Sequence, residues 1–470
     1  MPSPRLPNPS PKLVCLPLLL AFAVAATLWY SAELHEILAR VTDLRPAPHP
    51  GPGPGPGPAM VAAIRDGQTS FALRLAKHLA PAGGNATKGN VALSPVSIHA
   101  ALALLAAGAR GATLNQLLAF LGAPSAAGLA DCGRLIVHRV LGDRADSGGP
   151  RVLFSGGIWI DASRGGLKTA FRDVAVQSYK SEARTVSFAS EPEEVAKAIN
   201  SWVKKATNNL IDSIISADDF AAGTDLVLAN AVYFKAKWDV PFEPRRTRPS
   251  TFHRLDGSRV EVQFMSRTMY SAQYASCVDG FKVLKLPYEH GRDDVHKHGR
   301  GGAAGVASPD ADDTQYSMYL FLPHERQGIA KMVDAITAKP DYLYNVLTKA
   351  AATTVRVMLP KFEISFERDL VGDLRQLGLS LPFSSVSADL QGIFEKESGT
   401  FLSKLLHKAV VKVDEDGTEA AAVTIGLFDT TARQRVPPVQ FVVDHPFSFF
   451  IMEERSGVIV FAGHVLDPTN

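Results

Sequence analysis

The sequence predicts one large α+β domain, and three observations carry that expectation. Segments just after Val61 place apolar residues at helical spacing, β-rich runs dominate from Val152 onward, and no repeat period subdivides the chain. A chain of 470 residues with 46% hydrophobic and 20% charged residues can bury a core of its own. Forty-nine basic residues against 47 acidic ones leave a net charge of +2, so no global field favours nucleic acid as a partner. Three cysteines, Cys15, Cys132 and Cys277, make no disulfide framework, and Cys132 and Cys277 are expected as free thiols.

The elements follow in order. Residues 1–30 place Arg5 and Lys12 before the apolar stretch Leu13 to Tyr30, and Ala23-Val24-Ala25 has the small-x-small form of a cleavage site. The stretch fits a cleaved signal peptide, and its length also fits an uncleaved single-pass anchor, the one route to a membrane. Either reading places the protein in the secretory pathway or outside the cell. Residues 31–60 hold the run RPAPHPGPGPGPGPAM, whose alternating proline and glycine exclude helix and ladder and make a spacer. The domain proper is expected over 61–470. It opens with a helix in MVAAIRDGQTSFALRLAKHLA and another in SIHAALALLAAGA, with Pro95 at a first helical position. Asn85-Ala86-Thr87 is a glycosylation acceptor.

Beyond Val152, LVLANAVYFKAKW, VLKLPYE, YSMYLFLP, VRVMLPKFEISF and GVIVFAGHVL read as strands, and EVAKAINSWVKKAT and IAKMVDAI as helices. Residues 289–315 are polar and glycine-rich and read as a disordered surface insertion. His290, His296 and His298 lie there without the spacing that closes a metal site, so neither metal nor cofactor is expected. Arg134, His138, Arg139 and Arg144 give only a thin basic cluster. Nucleophile elbow, Walker loop, His-Glu-x-x-His and Cys-x-x-Cys are all missing, which weighs against an enzyme.

One stretch resists an ordinary reading. Gly417, Thr418, Glu419, Ala420, Ala421, Ala422, Val423 and Thr424 form a β-compatible run of small residues after an apparent strand at Ala409 to Val413. The next strand begins only at Phe441, so a strand-like sequence stands inside a connection far longer than a hairpin needs.

Several separated motifs then add up to a family. NVALSPVSIHAALALLAAGARGAT, INSWV, LANAVYFKAKWDVPF, LPKFEI, HKAVVKVDEDGTEAAAVT and FVVDHPFSFFI, in that order, make the chain resemble the serpins, most closely the plant-type members. The resemblance implies three β-sheets, eight to nine helices and an exposed reactive-centre loop, here 415–440. It also implies a monomeric inhibitor of a serine or cysteine endopeptidase. The protease attacks the loop, forms an acyl-enzyme and is trapped as the cleaved loop enters the central sheet, a known mode of strand addition in serpins. A non-inhibitory serpin, cleaved as a substrate or serving in storage or binding, is the alternative.

Carried over position by position, Gly417 to Thr424 is the hinge and Thr431-Ala432 the reactive bond. Arg433 and Arg435 offer alternative cleavage positions for an acidic specificity pocket. Ser94, Ser97, Asn230 and His407 match the polar cluster where the sheet's strands part, Asn200 lies on a helix across that sheet, and Trp238 matches an aromatic near the point of first insertion. Ser448 stands where an apolar residue is usual. These residues suit insertion: at period two, one face of the hinge carries Thr418, Ala420, Ala422 and Thr424, all small, while Glu419 falls on the other. No proline occurs between Glu415 and Val436 to remove a ladder donor.

Overall fold

In the computed structural model, residues 58–81, 89–147, 149–277, 279–290, 314–396, 399–417 and 437–470 are described. They form nine α-helices and 14 strands. The N-terminal apolar stretch, the spacer, Asn85, most of the 289–315 insertion and the loop from Thr418 to Val436 lie outside the described residues. Among the described residues, no helix is long and apolar enough to cross a membrane.

The first four helices are α1 (Pro58–His78), α2 (Pro95–Gly108), α3 (Gly111–Leu121) and α4 (Ala126–Leu135). Helix α2 is apolar almost all round and buried along nearly its whole length, as such a helix must be. Pro95 opens it as expected, and Ser94 is its N-cap residue, although the Ser94 hydroxyl makes no capping bond. Helices α5 (Thr169–Tyr179) and α6 (Pro192–Ala206) follow. In α6, Pro192 sits in the first turn with Glu193 and Glu194, and Lys204 and Lys205 in the last, which matches charge to the helix dipole. The remaining helices, α7 (Ile329–Thr337), α8 (Pro340–Thr348) and α9 (Val371–Gln376), are short.

Two hydrogen-bonded sheets organise the strands. The five-stranded sheet runs β10 (Phe362–Asp369), β11 (Leu402–Val413), β4 (Leu226–Lys235), β2 (Arg151–Asp161) and β3 (Ser181–Val186). Every residue of β4 except its last is buried, because both sheet faces are covered. Leu226, Leu228, Val232 and Phe234 join the main core with α2, while Val227, Ala229, Ala231 and Tyr233 pack with Val195, Ile199 and Val203 of α6. That alternation follows from the two-residue period of a strand.

The nine-stranded sheet runs β1 (Val91–Leu93), β14 (Val458–Val465), β13 (Phe447–Glu453), β8 (Tyr316–Pro323), β7 (Phe281–Pro287), β6 (Arg259–Cys277), β9 (Ala351–Pro360) and β12 (Val439–Val442), with β5 (Arg248–His253) on β6. It divides at β6. The register of β6 with β9 shifts between Met269 and Ala272, and Ser271 there takes a positive φ of 56°. Residues before the break pair with β5 and those after it with β7, so the sheet bends into two parts. With the five-stranded sheet this gives the three sheets expected.

Ser448 finds its reason in this sheet. It stands opposite His464 in the β13–β14 register, and its hydroxyl lies 2.8 Å from His464 Nδ1. His464 Nε2 lies 2.9 Å from the Ala76 carbonyl, so Nε2 carries the proton and Nδ1 accepts from Ser448. Cys132 and Cys277 are free, and burial pushes the Cys132 thiol up to about 12.

Candidate functional site

The site is a seam in the five-stranded sheet. Strands β4 and β11 are direct neighbours and run parallel, with Leu405 opposite Leu228, His407 opposite Asn230 and Val411 opposite Phe234. Parallel neighbours have slanted, slightly weaker ladder bonds. A strand that turned back from the end of β11 would run antiparallel to both, so this seam is where a further strand gains a full ladder on each side.

Halfway along the seam four polar residues meet in the core. The Ser94 backbone N–H donates to His407 Nε2 at 3.1 Å, which leaves the ring proton on Nδ1. That proton goes to Asn230 Oδ1 at 2.6 Å, and the same oxygen accepts from Ser97 Oγ at 2.9 Å. The His407–Asn230 bond crosses the seam, and any strand entering there has to part it. Burial holds His407 down at about 3, so it is a neutral donor at physiological pH. Ser94 Oγ and Asn230 Nδ2 are buried without a hydrogen-bond partner among the described residues. Two orphaned polar atoms lower the cost of rearranging this cluster, because they lose nothing when the strands separate.

At the end of the seam, where β11 stops, the chain is pinned. Trp238 is buried and stacks on Tyr288, with ring centroids 4.6 Å apart and planes 8° from parallel. Its indole N–H donates to the Asp414 carbonyl at 3.0 Å and its backbone N–H to Asp416 O at 2.9 Å. Phe242 N–H donates to Glu415 O at 2.7 Å. Glu415 accepts from Thr247 Oγ1 and from Lys361 Nζ, each at 2.7 Å. Burial raises its pKa, but these bonds outweigh burial and hold the carboxyl below its ordinary value. Gly417 bridges Lys237 with a φ of +131°, and a Cβ there would lie 2.2 Å from the Ala236 carbonyl oxygen. Only glycine fits that backbone.

The structure thus gathers Ser94, Ser97, Asn230 and His407 at the middle of the seam and Trp238 with Gly417 at its end. Asn200 stands apart from them. Helix α6 does cross the sheet, but Asn200 bonds the loop beyond that helix, donating to Ile215 O at 2.7 Å and accepting from Ile214 N at 2.8 Å. Thr418 to Thr424, Thr431, Ala432, Arg433 and Arg435 lie outside the described residues. Glu415, Lys361, Thr247 and Tyr288 belong to the site and were not singled out from sequence. Among the described residues no group of side chains could hold a metal ion.

Comparison with known proteins decides the family. The family model described as Serpin (serine protease inhibitor) matches residues 66–468. The chain is a serpin. Serpin-Z2A of Oryza sativa subsp. japonica is 42% identical over 420 residues, covering 86% of this chain and 97% of the relative. Serpin-Z7 of Hordeum vulgare is 41% identical over 405 residues, covering 85% and 95%. Among solved structures, AtSerpin1 of Arabidopsis in its native stressed conformation aligns with a TM-score of 0.74 and 34% identity, covering 88% of this serpin and all of that chain. Members of this family are typically protease inhibitors and not catalytic enzymes.

Proposed function

We propose that this serpin is a suicide inhibitor of endopeptidases, acting once by acyl-enzyme trapping and insertion of its loop between β4 and β11. The observation that carries the reading is the closed parallel seam, with His407 opposite Asn230, whose end leads directly into the glycine-pivoted hinge. The driving force is adequate. Insertion of roughly ten residues makes ladder bonds on two sides, each worth about 1 kcal/mol net, so the gain is on the order of 10 kcal/mol. That is comparable with the whole stability of a typical folded protein, enough to deform an attached protease.

The sequence of the hinge supports the reading, since its alternate residues Thr418, Ala420, Ala422 and Thr424 are small and uncharged. The reactive bond is assigned to Thr431-Ala432, which suits a shallow elastase-like pocket. Cleavage after Arg433 or Arg435 would suit an acidic pocket but lengthens the inserted strand and slackens the tether. Action in the secretory pathway rests on the apolar stretch at Leu13 to Tyr30 and on Asn85-Ala86-Thr87. Loss of gel mobility that a glycosidase restores would support it.

The test mixes the domain with elastase-like, trypsin-like and Arg-directed cysteine proteases, looks for a covalent complex on a denaturing gel, and sequences the cleaved loop. A complex with cleavage after Thr431 supports inhibition and the reactive bond together. Cleavage by every protease without any complex would point to the non-inhibitory alternative. Thr418→Arg supplies the internal control: it places an unpaired charge on the entering face and should turn inhibitor into substrate.

A further inference from the structure

The long strand β6 has an open edge. Its pairing with β5 ends at Phe264, opposite Arg248, and its pairing with β7 begins only at Tyr274, opposite Leu284. Between those points, among the described residues, β6 pairs with β9 alone. A cavity of about 700 Å³ occupies the gap, lined on one side by every residue from Arg267 to Gln273 and on the other by Asp239, Val240, Pro241 and Glu243. Because it lies against the edge of β6 and not over one face, side chains of both faces border it. The Asp239 N–H donates to Pro287 O at 3.0 Å and ties the outer segment to β7. Tyr270 and Val240, 68% and 59% exposed, stand at the mouth.

One cation in this lining lacks a counter-charge. Arg267 is only 7% exposed, and its guanidinium carbon lies 4.7 Å from the centre of the Phe242 ring. Its Nε and Nη1 have no hydrogen-bond partner among the described residues, and its Nη2 meets just the Met269 sulfur at 3.5 Å, a weak acceptor. Met269 and Asp239, the acid whose charge acts on Arg267, both line the cavity, so the guanidinium is turned towards it. Burial draws its pKa down to about 10, which leaves it charged at neutral pH. The other lining cations are satisfied, since Lys285 lies 2.6 Å from Glu454 and Arg246 3.2 Å from Glu243. A desolvated cation without acceptors is costly to keep, and a ligand that supplies them relieves that cost.

We propose that this cavity binds a small organic carboxylate with an apolar body, its carboxyl group on Arg267 and its body on Met269, Tyr270, Val240 and Pro241. The volume suits one such molecule. Three cations, Arg246, Arg267 and Lys285, line the cavity against two carboxylates, Asp239 and Glu243, a surplus of one positive charge. A singly charged anion balances that surplus, whereas a polyanion would be repelled by the two acids. A desolvated guanidinium bonds a carboxylate strongly and in matched geometry. The outer wall also bears on the loop, because the backbone N–H groups of Trp238 and Phe242 hold Asp416 O and Glu415 O at the stem of the hinge. The proposal does not depend on the inhibitory reading, because binding is measured without a protease.

Fluorescence titration of the full chain with dansylglycine, and with its neutral amide for comparison, tests it. Saturable one-to-one binding of the acid is expected, about tenfold tighter than the amide, because only the acid brings the charge that Arg267 lacks. Arg267→Met keeps the packing on Phe242, and it should weaken the acid about tenfold and bring acid and amide to equal affinity. Arg356→Gln removes an exposed cation from the opposite face of the sheet and should leave both affinities unchanged. If R267M does not fold, two exposed positions carry the test. Asp239→Asn removes the acid that acts on Arg267 and should tighten the acid about threefold, while Tyr270→Ser should weaken acid and amide alike, about threefold. No saturable binding of the acid, equal affinity for acid and amide in the wild type, or wild-type affinity in R267M would overturn the proposal. So would a loss in R356Q equal to that in R267M, or unchanged affinities in both D239N and Y270S.

Discussion

Replacing Gly417 with alanine isolates the stem of the hinge. The added Cβ would stand 2.2 Å from Ala236 O, 2.6 Å from Lys237 Cα and 2.7 Å from Trp238 N, all backbone atoms that cannot swing away. A φ of +131° in a residue with a side chain costs about 1–3 kcal/mol by itself. Relief of the overlap must also loosen the bonds from Trp238 N to Asp416 O and from Asp414 N to Gly417 O, both 2.9 Å, and each is worth about 1 kcal/mol. The sum is on the order of 3 kcal/mol, and it falls only on the state in which the loop is outside the sheet. Thermal unfolding of G417A should therefore begin roughly 5 °C lower than in the wild type. On incubation below that temperature, native gels should show faster conversion to a form that no longer traps protease. A melting point within about 1 °C of the wild type, with an unchanged conversion rate, would refute the claim that Gly417 holds the stem in place.

Other perturbations reach the remaining parts of the site. Glu415→Gln removes the charge that Lys361 meets at 2.7 Å; because Lys361 is 40% exposed the loss is discounted to about 1–2 kcal/mol, read as a lower urea midpoint. Ser448→Ala leaves His464 Nδ1 without a donor inside the nine-stranded sheet and should cost about 1–3 kcal/mol in the same assay, although Ser448 is remote from the seam. Three buried histidines set the acid limb: burial lowers His99 and His464 to about 4 and His407 to about 3, from 6.5. Each is neutral in the fold and takes up a proton on unfolding. Their contribution is therefore complete above pH 6.5 and declines as pH falls towards those values, by about 2 kcal/mol per histidine at pH 5. A urea midpoint that stays level from pH 7 to pH 5 would contradict this.

Sequence reasoning reached the seam but not its fastening, and the difference is physical. Helix α2 and strand β4 were legible because continuous apolar runs can only be buried, and Pro95 marks a helix start by its fixed φ. The polar cluster was legible by resemblance alone. Nothing local distinguishes His407, in the middle of an apolar strand, from any other core histidine, and its partners Ser94, Ser97 and Asn230 become neighbours only through the β4–β11 register. Glu415 read as one of three successive acids beside a glycine. Its role depends on Lys361 and Thr247, both far away in the chain, and each comes into reach only once β10 and β11 pair and the 242–248 segment lies across their ends. Asn200 was placed correctly on a helix over the sheet, but its bonds were not legible: from the middle of that helix it reaches the loop that follows, donating to Ile215 O and accepting from Ile214 N, a contact made only when that loop folds back.

Charge is the least legible property of such a chain. The basic residues singled out from sequence, Arg134, His138, Arg139 and Arg144, are close in the chain, but a cavity of about 450 Å³ is lined by arginines from three separate segments. Arg245, Arg246 and Arg248 flank the start of β5, Arg267 lies in the middle of β6, and Arg356 lies on β9. The β6–β9 register sets Arg356 opposite Thr268 and Arg267 opposite Val357, so these two side chains leave opposite faces of the sheet, Arg356 towards solvent and Arg267 into the buried face against Phe242. Each arginine alone in sequence is an ordinary surface residue, and which of them is buried follows only from strand alternation once the register is set. The fold pairs Glu415 with Lys361, whereas Nε and Nη1 of Arg267 have no hydrogen-bond partner among the described residues.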